Sequence, residues 1–111
     1  MKPREDAYLL HIRDAMLAIE LYGSAHSYEQ FSKSPWDQAA LTRHLEIIGE
    51  AASQLSGEYK QAHADIPWRR ISDFRNVLIH EYFAIDPQLV WEIIEKDIPA
   101  LKQQINTLVS D

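Results

Sequence analysis

Arg75, Asn76, His80 and Tyr82 fall within one short stretch of chain, and their types suit work on an anion that must also exchange protons. Arg carries a fixed charge on a planar fork of donors that matches phosphate oxygens. His is the side chain whose ordinary pKa lets it both take and give a proton near neutrality. Asn and Tyr add neutral hydrogen-bonding groups that can orient a ligand.

The stretch that carries them, Ile66 to Phe83, otherwise has the pattern of a helix built for burial. At the helical increment of roughly 100° per residue, Trp68, Ile71, Leu78 and Ile79 share an apolar arc, and Arg75 and Tyr82 fall inside it. Asn76 and His80 share a second strip with Arg69 on its flank, so two polar strips bracket a groove. Arg75 is thereby expected to face inward. An unpaired buried guanidinium costs several kcal/mol or more, so it must meet a carboxylate, a wet cavity or a ligand anion. A structural ion pair, with Glu50 as a candidate partner, competes with a functional role.

The pattern Arg75, four residues, His80, one residue, Tyr82 resembles the signature of the HepT-like group of the HEPN superfamily. Further blocks resemble that group in order and spacing: Ile47-Ile48-Gly49-Glu50-Ala51-Ala52, Ile66-Pro67-Trp68, Arg75-Asn76, His80-Glu81-Tyr82-Phe83 and Val90-Trp91. The resemblance runs from about Asp6 to Leu108. Asp73-Phe74 departs from it, because members often carry Gly and an aliphatic residue there.

The chain has 111 residues, 46% of them hydrophobic and 25% charged, which fits one soluble globular domain, residues 1–111. No apolar run approaches the roughly 18 residues of a membrane span, and Met1 to Asp6 has no signal-peptide core, so a cytoplasmic location without membrane contact is expected. With no cysteine there is no disulfide, thiolate nucleophile or Cys-based zinc site. The five histidines show no metal-binding spacing, so neither a metal nor another cofactor is expected. A net charge of −6 argues against loose, field-driven binding of nucleic acid. RNA contact would have to be local, at the cluster of Arg69, Arg70, Arg75 and His80.

Apolar positions recur at three and four residues throughout, which predicts an all-α fold, an up-and-down bundle of four to five helices. A first helix, roughly Arg4 to Tyr22, carries Tyr8, Ile12, Met16, Ile19 and Tyr22 and should stop at Gly23. Ser27 with Gln30 forms a capping-box pattern for a short helix. Ser34-Pro35 opens a long helix with Leu41, Leu45, Ile48, Ala52 and Leu55 on one face, closed by Gly57. Gly49 inside it costs up to about 1 kcal/mol relative to Ala and therefore suggests a close approach of another helix or backbone. Asp65 or Ile66, then Pro67, should open the helix of the signature. Asp86-Pro87 opens the last helix, with Leu89, Val90, Ile93 and Ile94 and an expected kink at Pro99 before Leu101, Ile105 and Leu108. Glu46 and Glu50 suit a solvated face with Arg43, His44 a packed position, and Trp36, Trp68 and Trp91 core or dimer contacts.

The HepT-like resemblance implies a metal-independent ribonuclease that acts as a toxin. The neighbouring 2′-hydroxyl of RNA is the nucleophile in such cleavage, which needs a base, an acid for the leaving 5′-oxygen and positive charge beside the phosphorane. Arg75 would hold the phosphate and His80 move protons, with Asn76 and Tyr82 supporting them. One chain offers one such His, whereas acid and base work best on opposite sides of the phosphate, and a two-fold homodimer supplies both. The resemblance implies the same composite dimer site. It further implies an MNT-type nucleotidyltransferase antitoxin that attaches AMP to Tyr82, which would place charge and bulk where RNA must sit. In an ideal helix Arg75 and His80 diverge by roughly 140°, so a common site requires the helix to depart from ideal geometry near its end. A non-catalytic helical dimer that binds a nucleotidyltransferase and a nucleotide or phosphate ligand is the alternative.

Overall fold

The computed structural model describes residues 3–76 and 86–109 of the chain. The described residues form an all-α bundle without strands, as the spacing of apolar residues predicts. Its long members are α1 (Pro3–Ala25), α3 (Pro35–Gln54) and a continuous helical run made of α6 (Pro87–Glu92), a π-helical stretch (Ile93–Asp97) and α7 (Ile98–Val109). Helix α1 packs on both α3 and α7. Short helices α2 (Tyr28–Ser32) and α4 (Gly57–Ala62) lie in the connections, and α5 (Trp68–Asp73) with a 3₁₀ turn (Phe74–Asn76) rests on α3.

The apolar stripes meet in one core: Leu9, Ile12, Met16 and Ile19 of α1, Leu41, Leu45, Ile48 and Ala52 of α3, and Ile98, Leu101 and Ile105 of α7 are buried. Capping follows the sequence signals. Ser27 Oγ accepts from Gln30 N while Gln30 Oε1 accepts from Ser27 N, closing the capping box of α2. Ser34 accepts from Asp37 N with Pro35 in the first turn of α3, and Asp86 accepts from the backbone of Gln88 and Leu89 at the start of α6.

Several boundaries differ from expectation. Gly23 does not end α1, which continues to Ala25; a Cβ at Gly23 would lie 3.2 Å from Ile94 Cγ2, so the glycine serves helix packing. Gly57 does not close α3. Leu55, buried and extended, ends that helix, Ser56 caps α4 by accepting from Tyr59 N, and Glu5 Oε1 of α1 accepts from Ser56 N. Helix α5 begins at Trp68, with Pro67 rather than Asp65 or Ile66 in the N-cap position and no side-chain cap. The irregularity expected at Pro99 lies one turn earlier: the π stretch at Ile93–Asp97 widens the register before a residue that lacks an N–H. Trp68 and Trp91 are buried, but Trp36 is 87% exposed and belongs to no core of the protomer. Among the described residues, no helix is long and apolar enough to cross a membrane.

Candidate functional site

The described half of the signature segment is placed by α3. At Gly49 a Cβ would lie 2.6 Å from Arg75 N, 2.8 Å from Ser72 O and 2.9 Å from Arg75 Cβ. No real Cβ tolerates such distances to backbone, so the absent side chain lets the end of α5 sit directly on α3. The close approach expected at Gly49 is thereby found, and its partner is Arg75 itself.

From the other side, the segment is pinned by burial of Trp68, Ile71 and Phe74. Trp68 Nε1 donates to His63 O at 3.0 Å, which satisfies its one polar atom beneath the surface. These three residues are spaced by three. When the helix tightens into the 3₁₀ turn at Phe74, residues three apart eclipse, so Phe74 follows Ile71 into the core. Arg75 is rotated outward. The expectation that Arg75 faces inward is therefore corrected: it is exposed, because the constant 100° increment fails at the turn and Phe74 takes the inward place.

The arginines of this segment have different partners. Arg70 Nη2 lies 2.6 Å from Asp97 Oδ2, and its guanidinium stands 5.5 Å from the centre of the Phe74 ring. Phe74 thus carries a cation on one face while filling the core. Arg75 Nη1 donates to Ser53 Oγ at 3.2 Å. Ser53 Oγ in turn donates to Glu50 O at 2.7 Å. The structural ion pair considered for Arg75 with Glu50 is not formed; its partner among the described residues is a neutral hydroxyl. Arg69 is exposed and Asn76 half-buried. His80 and Tyr82, with the rest of residues 77–85, lie outside the described residues.

Glu50 instead borders a cleft of about 280 Å³ between Tyr8 and His11 of α1 and Arg43, Ile47 and Gln54 of α3. Arg43 pairs with Glu46 at 3.5 Å, the solvated arrangement expected for that face, and His44 Nδ1 lies 2.7 Å from Ala40 O, a locally satisfied position. Ser53 was not singled out by the sequence. Its signal was its place one turn after Gly49, on the face that must meet whatever approaches that glycine.

An exposed arginine is thus held on a neutral acceptor, at the end of a short helix seated on a glycine of an all-α bundle. Bundle and motif together define a HEPN-type helical protein. The chain belongs to the HepT-like family: the profile described as "Ribonuclease HepT-like" matches residues 12–108. It is 37% identical over 108 residues to "Probable ribonuclease HepT" of Thermococcus cleftensis, across 97% of this chain and 98% of that protein. It is 42% identical over 83 residues to a protein of Caldanaerobacter subterraneus subsp. tengcongensis named "Putative RNase TTE0752", across 75% of this chain and 74% of that protein. A Methanocaldococcus jannaschii protein named "Gamma-glutamylcyclotransferase and putative RNase MJ0434" is 38% identical over 104 residues, which are 94% of this chain and 47% of that protein. This chain therefore spans about half the length of that relative. No solved structure matches this chain.

Proposed function

We propose that this protein is a metal-independent endoribonuclease, the toxin of a type VII HEPN/MNT toxin–antitoxin pair, and that its site is completed in a homodimer. The observation that carries this reading is the presentation of Arg75: exposed, donating to a neutral hydroxyl and seated on α3 through Gly49, within the Arg75-x4-His80-x-Tyr82 pattern. The naming of relatives as ribonucleases supports the same activity.

In the proposed reaction a histidine takes the 2′-hydroxyl proton, O2′ attacks phosphorus, and the P–O5′ bond breaks as the second protomer's histidine protonates O5′. His80 supplies both roles, one from each chain. Arg75 stabilises the charge on the non-bridging oxygens, and Asn76 and Tyr82 orient the phosphate. Arg69 contacts flanking RNA, and Arg70 does so by exchanging Asp97 for a phosphate. The MNT-type nucleotidyltransferase antitoxin inactivates the site by attaching AMP to Tyr82.

The test is cleavage of labelled single-stranded RNA in EDTA by protein whose unmodified mass has been verified. Expected are a cyclic-phosphate product and loss of cleavage in His80→Ala and Arg75→Ala at unchanged helicity. An inactive wild type whose melting temperature rises with a nucleotide or inorganic phosphate would replace this reading with the non-catalytic module, which the net charge of −6 would suit.

A further inference from the structure

Serine and threonine back-bonds to the carbonyl three residues earlier recur along this chain, at Ser24, Ser32, Ser53 and Thr107. Such a bond is by itself a local feature of helices. At Ser53 the same oxygen also accepts from a residue of another element, Arg75 Nη1 at 3.2 Å. A hydroxyl has one proton and two lone pairs. With the proton committed to Glu50 O at 2.7 Å, the oxygen is left with its lone pairs available, and one of them meets the guanidinium.

Backbone and side chain of Arg75 are thus located by the same face of α3, one turn apart. Gly49 admits the backbone, and Ser53 takes the end of the side chain. A neutral acceptor suits this task better than a carboxylate, because it restricts the swing of a long side chain without cancelling its charge. The guanidinium keeps its other donors for a second partner.

We infer that Ser53 is a positioning residue, which aims Arg75 at the RNA phosphate without touching the substrate. This deepens the proposed function and rests on it. Removing the hydroxyl leaves Arg75 charged but free to sample rotamers, so phosphate binding weakens while the bundle stays folded. Threonine retains an oxygen able to bond the carbonyl of the preceding turn, at a site that is only half-buried.

The test measures binding of a labelled single-stranded 2′-O-methyl RNA, which keeps the phosphates and lacks the nucleophile, to the full chain as wild type, Ser53→Ala, Ser53→Thr, Arg75→Ala and Ser53→Ala/Arg75→Ala. Arg75→Ala is expected to weaken binding about tenfold or more, and Ser53→Ala about two- to tenfold. Ser53→Thr should restore the wild-type affinity, and Ser53→Ala should add nothing once Arg75 is gone. Thermal melts establish that each variant is folded. If Arg75→Ala binds weakly but Ser53→Ala binds like wild type, or lowers affinity equally without Arg75, the positioning role is wrong and the ribonuclease reading stands. If Arg75→Ala binds as the wild type does, Arg75 holds no phosphate in the complex and the positioning role is wrong, whereas the ribonuclease reading is overturned only if the unmodified wild type fails to cleave RNA in EDTA.

Discussion

Arg70 and Arg75 sit five residues apart on one short segment, and the molecule treats them in opposite ways. Arg70 meets a carboxylate of the π-helical stretch and the face of an aromatic ring, so its charge is compensated where it stands. Arg75 meets a hydroxyl on α3, so among the described residues its charge is held but not matched. The contrast separates an arginine that ties two elements together from one whose charge meets no carboxylate among the described residues, the one proposed to meet RNA, although both are exposed. Surface position alone does not distinguish them; the partner does.

The largest expected effect breaks the pair apart by activity. Arg75→Ala should lower the rate of RNA cleavage by a factor on the order of 10²–10³, the usual consequence of removing one donor to a developing oxyanion. Its melting temperature should hardly move, because the side chain is exposed and its partner keeps a second hydrogen bond. His80→Ala should fall by a comparable or larger factor. An Arg75→Ala protein that cleaves at the wild-type rate would end the contrast, since Arg75 would then be a surface charge like many others.

Next in size is a change to the seat rather than to the arginine. Gly49→Ala forces a Cβ to within 2.6 Å of Arg75 N and 2.8 Å of Ser72 O, both backbone atoms that move only with their helix. Overpacking of this kind costs about 1–3 kcal/mol. Chemical denaturation should therefore register a clear loss of stability, accompanied by reduced cleavage in whatever remains folded. A Gly49→Ala protein of unchanged stability would mean that the end of α5 does not rest on α3 this closely.

How much of this was legible in advance depended on whether a signal was local. The all-α class, the burial of Ile12, Ile48 and Ile105 and the caps at Ser27, Ser34 and Asp86 follow from spacing and side-chain chemistry within a few residues. Gly49 was legible because a glycine inside an apolar helix face carries a cost that packing has to offset. The outward turn of Arg75 was not legible. It depends on where the helix tightens, which is decided by Phe74 entering the core and by α3 lying beneath, both tertiary facts. Gly23 and Gly57 misled for the same reason: one serves contact with Ile94, and the other begins a helix whose cap is the serine before it.

A smaller effect tests the structural arm of the contrast. Arg70→Ala and Asp97→Asn should each cost no more than about 1 kcal/mol, because the pair is partly exposed and solvent screens it. RNA binding should fall less in Arg70→Ala than in Arg69→Ala or Arg75→Ala, since Arg70 must first leave Asp97. The comparison is sharpened by adding salt. A phosphate contact made by Arg75 contributes to the salt slope of RNA binding, so Arg75→Ala should flatten that slope more than Arg70→Ala does. Equal slopes would show that the carboxylate does not withhold Arg70 from RNA.

The smallest expected effect concerns another side chain held by a carboxylate, far along the chain from the candidate site. Tyr22 donates its hydroxyl proton to Asp37 Oδ2 at 2.6 Å. Burial, followed by that hydrogen bond and the charge of Asp37, pushes the Tyr22 pKa up to about 12. An unfolded tyrosine titrates near about 10. The folded state therefore holds this proton more tightly, and the stabilisation is complete below about pH 10 and lost as the pH rises toward about 12. Absorbance titration of the folded protein should show a late tyrosinate phase that is missing in Tyr22→Phe and moved to lower pH in Asp37→Asn. Cleavage near neutrality should be the same in all three proteins, because the proton involved does not leave in that range. A carboxylate partner here, as at Arg70, compensates the group it holds, whereas the hydroxyl under Arg75 holds the side chain without matching its charge.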